Sequence, residues 1–425
     1  MRLFVFATFA LGFFGLLPST TAHNMVPATA QEQAIILSHA TLHTITDGVL
    51  VDHDVLIEQG KITSIGQGLH KESALVVDAT GKHIYPGLIA LDTSLGLVEI
   101  DMVRSTVDSW EVGEVNPQLS SQHAYNPDSE IIPTIRYNGI THAQIVPSGE
   151  GIAGQSVLVN LDSWTIEDAL VQSDLQMHLY WPQLGKLATD ETEKTKQLEA
   201  HQAKILSLKK AFEEGYRYFL ADNAKAKQIT LPRWEAMLPL YQGKGQLFVH
   251  ADTQKQIEEV VALVRQYQFS PVIVGGYDAW RVASALNEVN AKVLYPHTLR
   301  LPIRKDEPID LAFKIPYLLK QAGIPFALGF SSDWNSRNLP FAAGQAAAYG
   351  LSAEEALKAI TLDAARVLNI TDMGAIAVGF RANLVITQGD ILDPATAKIS
   401  AMYIDGRQID LNNRQQQLYQ KYLKR

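Results

Sequence analysis

The sequence predicts an α/β protein with two parts, a large one of alternating strands and helices and a small one of strands alone. Between residues 86 and 371, short apolar runs alternate with helical runs, which is typical of βα units and a parallel sheet. At residues 30–85 and 372–412, short strands alternate with turns, and neither end buries a face by itself. We therefore predict one small sheet unit built from both ends, interrupted by the large part and followed by a tail at 413–425.

Composition is that of a soluble globular protein. The chain has 425 residues, of which 47% are hydrophobic and 19% are charged, and it contains no cysteine. That length is too great for one ordinary core, which agrees with a large unit plus a small one. The net charge of −9 comes without a basic tail, and nucleic-acid phosphates require a positive surface. We therefore expect no nucleic-acid partner.

The N-terminus predicts a signal peptide at residues 1–22. Arg2 gives a positive start, the run 3–17 is apolar, Pro18 interrupts it, and small residues precede a cleavage point after Ala22. The apolar run is short for a membrane span, so an uncleaved anchor is the alternative. The segment favours an exported, periplasmic protein with no membrane span after the signal is removed.

In the small unit, residues 54–58 and 61–65 flank the turn Gln59-Gly60, which predicts a hairpin. Residues 383–387 and 399–404 have the same strand character, and Asp405-Gly406 predicts a second turn. These segments supply strands from both ends of the chain to one sheet.

In the large unit, six runs predict buried strands, and two segments predict helices. The strands are expected at 88–95, 141–146, 246–251, 272–275, 292–295 and 326–330. Ser352 and Glu355 form a capping-box pattern ahead of an apolar face that continues to Leu368, and residues 190–214 suit a solvated outer helix. The glycine-rich segment 149–154 lacks a phosphate-loop lysine and is interpreted as a flexible loop at the mouth of the sheet.

The large unit opens on Pro-Gly-Leu-Ile-Ala-Leu-Asp-Thr-Ser at residues 86–94. This stretch resembles the opening strand of the amidohydrolase superfamily, which reads Pro-Gly-Leu-Ile-Asp-x-His-x-His. Residues 379–385 and 335–350 carry further resemblance, to an exported, imidazolonepropionase-like branch. The resemblance covers nearly the whole mature chain. It implies a (β/α)8 TIM-like barrel that interrupts a small β-sandwich, and hydrolysis of amide or cyclic C–N bonds by metal-bound hydroxide.

The metal-binding positions of that family are only partly filled here. Asp92 and Ser94 stand where the two histidines of the opening strand are expected. Gly275-Gly276 stands where the sixth strand carries another, which suits a tight turn or a ligand lying against the main chain. The resemblance therefore implies a degenerate metal site.

Two positions do match the family pattern. His250 ends a strand in the position of a metal ligand, and Asp333 follows the last strand where an Asp binds metal and shuttles the proton. The resemblance implies that both are catalytic, with a weak mononuclear site of Asp92, His250 and Asp333 at best. The cofactor is then one zinc or none. Asp333 also suits a turn cap, because Ser-Ser-Asp is ordinary turn chemistry.

Cations on the predicted loops suggest a ligand. Arg337 lies just after the last strand beside Trp334, and its planar guanidinium suits two-pronged contact with a carboxylate. Arg304 lies on another such loop, and His297 follows the seventh strand. We expect a small anionic ligand bound by Arg337, Trp334 and Arg304, against the alternative of ordinary surface charge.

Two functions stay open at this point. The first is a hydrolase acting on non-peptide or peptide-like C–N bonds with a reduced or lost metal centre. The second is a catalytically inactive exported barrel that binds a small anionic ligand or a protein partner. The family resemblance favours the first, and the missing histidines favour the second.

Overall fold

The structure is a computed structural model that describes residues 26–425, so the predicted signal peptide lies outside the described residues. Two eight-stranded sheets organise this part of the chain. The strands are β1 (Ile35–His43), β2 (Val49–Glu58), β3 (Lys61–Gly66), β4 (Leu75–Asp78), β5 (His83–Pro86), β6 (Leu88–Thr93), β7 (Ile140–Ile145), β8 (Gly151–Asn160), β9 (Leu170–Tyr180), β10 (Gln246–Ala251), β11 (Val272–Gly275), β12 (Lys292–Tyr295), β13 (Phe326–Leu328), β14 (Leu384–Thr387), β15 (Ile399–Ile404) and β16 (Arg407–Gln408).

Helices surround the second sheet. They are α1 (Ile132–Arg136), α2 (Ile166–Ala169), α3 (Glu191–Asn223), α4 (Pro232–Glu235), α5 (Leu238–Tyr241), α6 (Gln254–Tyr267), α7 (Ala283–Glu288), α8 (Leu311–Gln321), α9 (Leu339–Ala348), α10 (Ala353–Ala359), α11 (Leu362–Val367) and α12 (Arg414–Leu423). Short 3-10 helices lie at Arg104–Thr106, Ser121–His123, Ala279–Val282 and Asn335–Asn338. Within residues 26–425, no helix combines the length and apolar character that crossing a membrane requires.

The first sheet joins the two ends of the described chain. Its order is β16-β15-β14-β5-β1-β2-β3, with β4 pairing to β1 outside that path. β14 pairs antiparallel with β5, so a strand from after the large unit lies beside one from before it. Leu42, Ile57 and Tyr403 are fully buried in its core. The predicted unit of strands from both ends is thus present as a separate sheet.

The second sheet is a nearly closed barrel with the order β13-β12-β11-β10-β9-β8-β7-β6. The backbone N–H of Phe330 donates to the carbonyl of Leu91 at 3.1 Å, and Thr93 Oγ1 donates to the carbonyl of Ser332 at 2.7 Å. These two bonds join the first strand of the barrel to the segment that follows the last. The six predicted barrel strands are all present; three have the predicted bounds, and the ends of the other three differ by one or two residues.

The prediction of an all-parallel sheet was wrong, because β8 runs antiparallel to both β7 and β9. Residues 146–150 connect β7 to β8, and a parallel crossover needs about a dozen residues or more. The sequence also missed β8 and β9. The sequence predicts a loop at residues 149–154, but Gly151 begins β8. A Cβ at Gly151 would lie 2.2 Å from the carbonyl oxygen of Glu114, so the glycine here permits close backbone approach within a strand.

Two predicted helices differ in extent. The capping box of Ser352 and Glu355 is present, with Glu355 N donating to Ser352 Oγ at 3.2 Å. The helix after it breaks at Thr361 into α10 and α11, although Leu368 at its end is fully buried as expected. The outer helix α3 continues to Asn223, beyond the predicted end at residue 214.

The barrel interior is apolar toward one end. A buried cluster gathers alternate residues of several barrel strands with residues of α11, among them Leu91, Phe248, Leu294 and Ala364. Because every second residue of a strand faces the same side, the next inward residue of β10 after Phe248 is His250. His250 is one of the polar residues that line the candidate site.

Candidate active site

A cavity of about 210 Å³ lies at the carboxyl ends of the parallel barrel strands, where barrel enzymes place their active sites. Its polar lining comes from residues on or just after five strands and from the start of α6. These residues are Asp92, Tyr180, Trp181, Gln183, His250, Asp252, Gln256, His297 and Ser331.

Asp92 reaches the cavity from an irregularity in β6. The pairing of β6 with β7 shifts between Ala90 and Thr93, and Asp92 lies in the left-handed region with φ of 62°. A non-glycine residue held there costs about 1–2 kcal/mol, and such strain is concentrated at functional sites. Burial raises the pKa of the Asp92 carboxyl to about 7, a hydrogen bond from Ser331 opposes the rise, and the Asp252 carboxylate adds to it.

His250 is the last but one residue of β10, and two neighbouring side chains hold its ring. Its ring stacks on Tyr180, with centroids 3.8 Å apart and planes 9° apart. Its Nε2 lies 3.0 Å from Nδ1 of His178. Burial lowers the pKa of His250 to about 3, and the charge that His297 would carry adds to this effect, so the ring is neutral near pH 7.

An interior polar chain connects His250 to Asp92 below the cavity, and we define it as Gln144, Ser156, Gln176 and His178. The Ser156 hydroxyl donates to Gln176 Oε1 at 2.7 Å and lies 2.8 Å from His178 Nε2. Gln144 Nε2 donates to Gln176 Oε1 at 2.8 Å, and Gln144 Oε1 accepts from the Asp92 backbone N–H at 3.3 Å. The four side chains of the interior polar chain are almost completely buried.

The hydrogen-bond pattern assigns the tautomers of the two histidines. Because the Ser156 proton is given to Gln176, Nε2 of His178 must be the donor to Ser156. Nδ1 of His178 is then an acceptor, and it receives the Nε2 proton of His250. His250 is left with an unprotonated Nδ1 in its neutral form.

A second titratable pair occupies the same cavity. His297 Nε2 lies 3.6 Å from Asp252 Oδ1, and Arg300 Nη1 lies 3.5 Å from Asp252 Oδ2. Burial lowers the pKa of His297, and the neighbouring Asp252 carboxylate opposes that shift. Oδ1 of Asp252 is buried and lacks a hydrogen-bond partner among residues 26–425.

The Gly275-Gly276 pair forms the tight turn that the sequence suggested. Gly275 has φ of 95°, and Gly276 N donates to the carbonyl of Ala251 at 2.8 Å. A Cβ at Gly275 would lie 2.5 Å from Asp252 Oδ1. The glycine therefore leaves the space that the Asp252 carboxylate occupies.

The structure places two of the three predicted metal ligands at the cavity. Asp92 and His250 line the cavity, whereas Asp333 is absent from its lining. The carbonyl of Asp333 accepts from Ser336 Oγ at 2.7 Å and its Oδ1 accepts from Ser332 Oγ at 3.2 Å, which are turn contacts. The residue after β13 that reaches the cavity is Ser331, whose hydroxyl donates to Asp92 Oδ2.

The predicted ligand-binding residues also lie outside the cavity lining. Arg337 Nη1 donates to the carbonyl of Trp334 at 2.9 Å, and its guanidinium lies 4.7 Å from the centre of the Trp334 ring. Arg304 forms ion pairs with Asp278 and, at 2.6 Å, with Glu307. Two carboxylates offset the charge of Arg304, so it is poorly placed to bind an anion.

The side chains present do not fit the zinc centre that the resemblance implies. A catalytic zinc ion needs about three protein ligands. Residues 26–425 contain no group of three or more His, Cys, Asp or Glu side chains arranged to hold an ion. Nε2 of His250 is bonded to His178, and Oδ2 of Asp92 is bonded to Ser331. The expected set of Asp92, His250 and Asp333 is not assembled.

Sequence reasoning missed the interior polar chain because three of its four residues lie on β8 and β9, which were not predicted as strands. Ser156, Gln176 and His178 belong to no sequence motif, and the spacing of His178 from other residues does not mark it as a site residue. An alternation of polar and apolar residues in 174–180 is the signal that would have found Gln176 and His178. Residues 153–159 do not alternate, so no such signal marks Ser156.

Comparisons with known proteins agree with this fold. Residues 313–409 match the Amidohydrolase family. The amidohydrolase tasK of Hapsidospora irregularis is 22% identical over 388 residues, which cover 83% of this chain and 39% of that protein. The D-hydantoinase of Geobacillus stearothermophilus is 36% identical over 80 residues, or 19% of this chain and 16% of that protein. The chain thus spans well under half the length of these two relatives.

Solved structures extend the likeness to most of the chain. An amidohydrolase from Thermotoga maritima superposes with a TM-score of 0.79 at 23% identity, covering 88% of this chain and 99% of that one. A prolidase complexed with N-methylphosphonate-L-proline superposes with a TM-score of 0.54 at 15% identity, covering 89% and 100%. At these identities the likeness concerns the fold alone. The protein thus shares the barrel fold of these solved structures, and residues 313–409 match the Amidohydrolase family in sequence.

Proposed function

We propose that this protein is a hydrolase that cleaves C–N bonds of non-peptide or peptide-like substrates in the cavity described above. The family match and the amidohydrolase-like fold support this class of reaction. The observation that carries the proposal is geometric, because Asp92 and the pair Asp252–His297 meet in one cavity at the carboxyl ends of the strands. Groups that can accept and donate a proton are thereby available to one substrate.

The two ends of that arrangement suit different roles. A lowered pKa keeps His297 neutral near pH 7, so it can accept a proton from water while Asp252 stabilises the imidazolium that forms. The raised pKa of Asp92 keeps part of its population protonated near pH 7, so it can donate to a leaving nitrogen. In the proposed reaction water attacks the carbonyl carbon, its proton passes to His297, and the C–N bond breaks as nitrogen takes the Asp92 proton.

The substrate must be reactive for such a site. Zinc lowers the pKa of water from about 15.7 to about 7, and the side chains here do not fit that ion. General acid–base catalysis by positioned side chains contributes roughly 10²–10⁴-fold. We therefore expect cyclic imides, hydantoin-like rings or activated amides to be better substrates than unactivated peptides.

A panel of cyclic and activated amides tested with purified protein decides the proposal. We expect hydrolysis that His297→Gln and Asp92→Asn each reduce by roughly 10²-fold or more. His123→Gln and Asp101→Asn are matched controls, because both residues lie outside the cavity lining and are exposed. Equal rates in all four variants would show that the activity arises elsewhere or from a contaminant.

A second candidate, an inactive barrel that binds a small anionic ligand, is favoured by one observation. His250 and Asp92, two of the expected metal ligands, are hydrogen-bonded to other protein groups, and Arg300 pairs with Asp252, which lines the cavity. In this case carboxylic acids bind without turnover. Arg300→Gln should then weaken binding, whereas Arg233→Gln, on the distant α4, should not.

We also propose that the protein is exported to the periplasm. The sequence of residues 1–22 supports a periplasmic protein cleaved after Ala22. Mass spectrometry of the protein from intact cells and from periplasmic extract checks both points. A full-length chain retained in the cytoplasm would contradict them.

A further inference from the structure

A second cavity, of about 320 Å³, lies where the separate sheet meets α10 and shares no lining residue with the candidate active site. The end of β1, the start of β2 and strand β5 form one side. Helix α10 and the connection between β14 and β15 form the other. The cavity therefore lies at the junction of the two units of the described chain.

One wall of this cavity is aromatic. The rings of His43 and Tyr85 are stacked, with centroids 4.1 Å apart and planes 13° apart. His43 Nε2 lies 3.0 Å from His83 Nδ1, which fixes the plane of the His43 ring. Leu357 and Leu392 supply apolar surface to the same space. A flat apolar group can therefore pack here against a rigid face.

The charge of the cavity has one sign. Glu354 and Asp390 are its acidic lining residues, both are exposed, and no lysine or arginine is part of its lining. Neither carboxylate pairs with a basic side chain of residues 26–425. Burial lowers the pKa of His43 to about 4, so its ring adds no positive charge near pH 7. Asp390 lines the same cavity as His43 and Tyr85. Its negative charge opposes the lowering of the His43 pKa and adds to the rise that burial causes in the Tyr85 pKa.

We propose that this cavity binds a small organic cation with a flat apolar body, packed on the half-buried ring of His43, which buried Tyr85 holds from the other face, with its ammonium group at Glu354 and Asp390. Its volume falls within the range of roughly 300–1,000 Å³ that small-molecule sites show. Cations are attracted both to carboxylates and to the faces of aromatic rings. An anion of the same shape is repelled. The site is independent of the hydrolytic function proposed above.

Isothermal titration calorimetry with three probes of one shape tests this site on the full protein. The probes are phenethylamine, 2-phenylethanol and 3-phenylpropionate. We expect phenethylamine to bind about tenfold more tightly than the alcohol, because a charged hydrogen bond contributes about that factor. The carboxylate should bind more weakly than the alcohol.

Two kinds of variant locate the binding. Glu354→Gln combined with Asp390→Asn should abolish the preference for the amine, whereas Glu199→Gln, an exposed charge on α3, should not. Val49→Trp should weaken all probes by filling the cavity, and Val49 is 42% exposed, so the fold tolerates the larger side chain. A thermal melt checks that each variant is folded.

The proposal is overturned if phenethylamine shows no binding at about 10 mM, ten times a weak Kd of about 1 mM. It is also overturned if the three probes bind equally, or if the double variant keeps the preference for the amine.

Discussion

Asp92 Oδ2 accepts a hydrogen bond from the hydroxyl of Ser331, although the two residues lie 239 positions apart in the chain. Asp92 belongs to the first barrel strand and Ser331 follows the last. The bond therefore crosses the seam where the barrel closes, and it holds a carboxylate whose backbone is in the left-handed region. The bonds of Phe330 to Leu91 and of Thr93 to Ser332 close the barrel at the same seam, so closure brings Ser331 to the acidic group.

Removing that contact should raise the pKa of Asp92 further. In Ser331→Ala the carboxylate loses the hydrogen bond that favours its charged form, while burial is unchanged. Titration of the carboxyl ¹³C signal by NMR measures the shift. Ser332→Ala is the matched control, because that hydroxyl contacts Asp333. An unchanged titration curve in Ser331→Ala would contradict the role given to this serine.

Asp92 should make folding stability fall as pH rises. The folded pKa of about 7 exceeds the ordinary value of 3.8, so the native state binds more protons than the unfolded state between these values. Stability is lost as pH rises through that window, by roughly 4 kcal/mol in total. Asp92→Asn removes the effect, so the variant should be more stable than the parent at pH 8. Urea unfolding at pH 8 and pH 5 measures the difference, which should shrink at pH 5.

Gly275→Ala should displace the Asp252 carboxylate. The new Cβ meets Oδ1 at 2.5 Å and also forces a residue other than glycine to adopt φ of 95°. We expect a loss of about 2–4 kcal/mol in unfolding free energy together with reduced activity. Gly68→Ala, at φ of 64° with no atom within 4 Å, should lose only about 1 kcal/mol for backbone strain. Equal losses in both variants would show that the carboxylate contact has no effect.

The interior polar chain should behave as one unit. His178→Leu leaves Nε2 of His250 without its buried partner, at a cost of about 1–3 kcal/mol, and it also breaks the bond between His178 and Ser156. Ser156→Ala breaks the same bond, which is therefore lost only once in the double variant. The double variant should therefore lose less than the sum of the two single variants. Urea unfolding of the four proteins gives the coupling, and strict additivity would contradict it.

Removal of metal should leave the protein unchanged. Because the expected ligands are bonded within the protein, dialysis against EDTA should shift the Tm by less than about 1 °C, and added zinc should not raise it. Differential scanning calorimetry with elemental analysis makes the measurement. About one zinc per chain, lost in His250→Ala but retained in His123→Gln, would show that the side chains rearrange to bind it.

Some residues of this site could be predicted from local sequence patterns. His250 was found because it ends a short apolar run, and such a run predicts a buried strand wherever it lies in the chain. Asp92 was found because its strand opens on a family motif. No such local pattern predicts the interior polar chain as a unit, because the hydrogen-bond partners lie on different strands. Their bonds depend on strand register.

The assignment of the last strand illustrates the same limit. The motif pointed to Asp333, but the cavity is reached by Ser331. The strand ends at Leu328, and the side chain that faces inward depends on how the following turn is bonded, here through Ser332 and Ser336. A shift of this kind cannot be derived from spacing alone.

By itself the sequence determined the alternating architecture, the shared sheet of the two chain ends and the positions of six barrel strands, because these follow from short-range apolar patterns. Tertiary structure alone decided the antiparallel strand β8, the pairing of Asp92 with Ser331 and the pairing of His178 with His250. Each of these depends on groups far apart in the chain, whose distances are set by closure of the barrel.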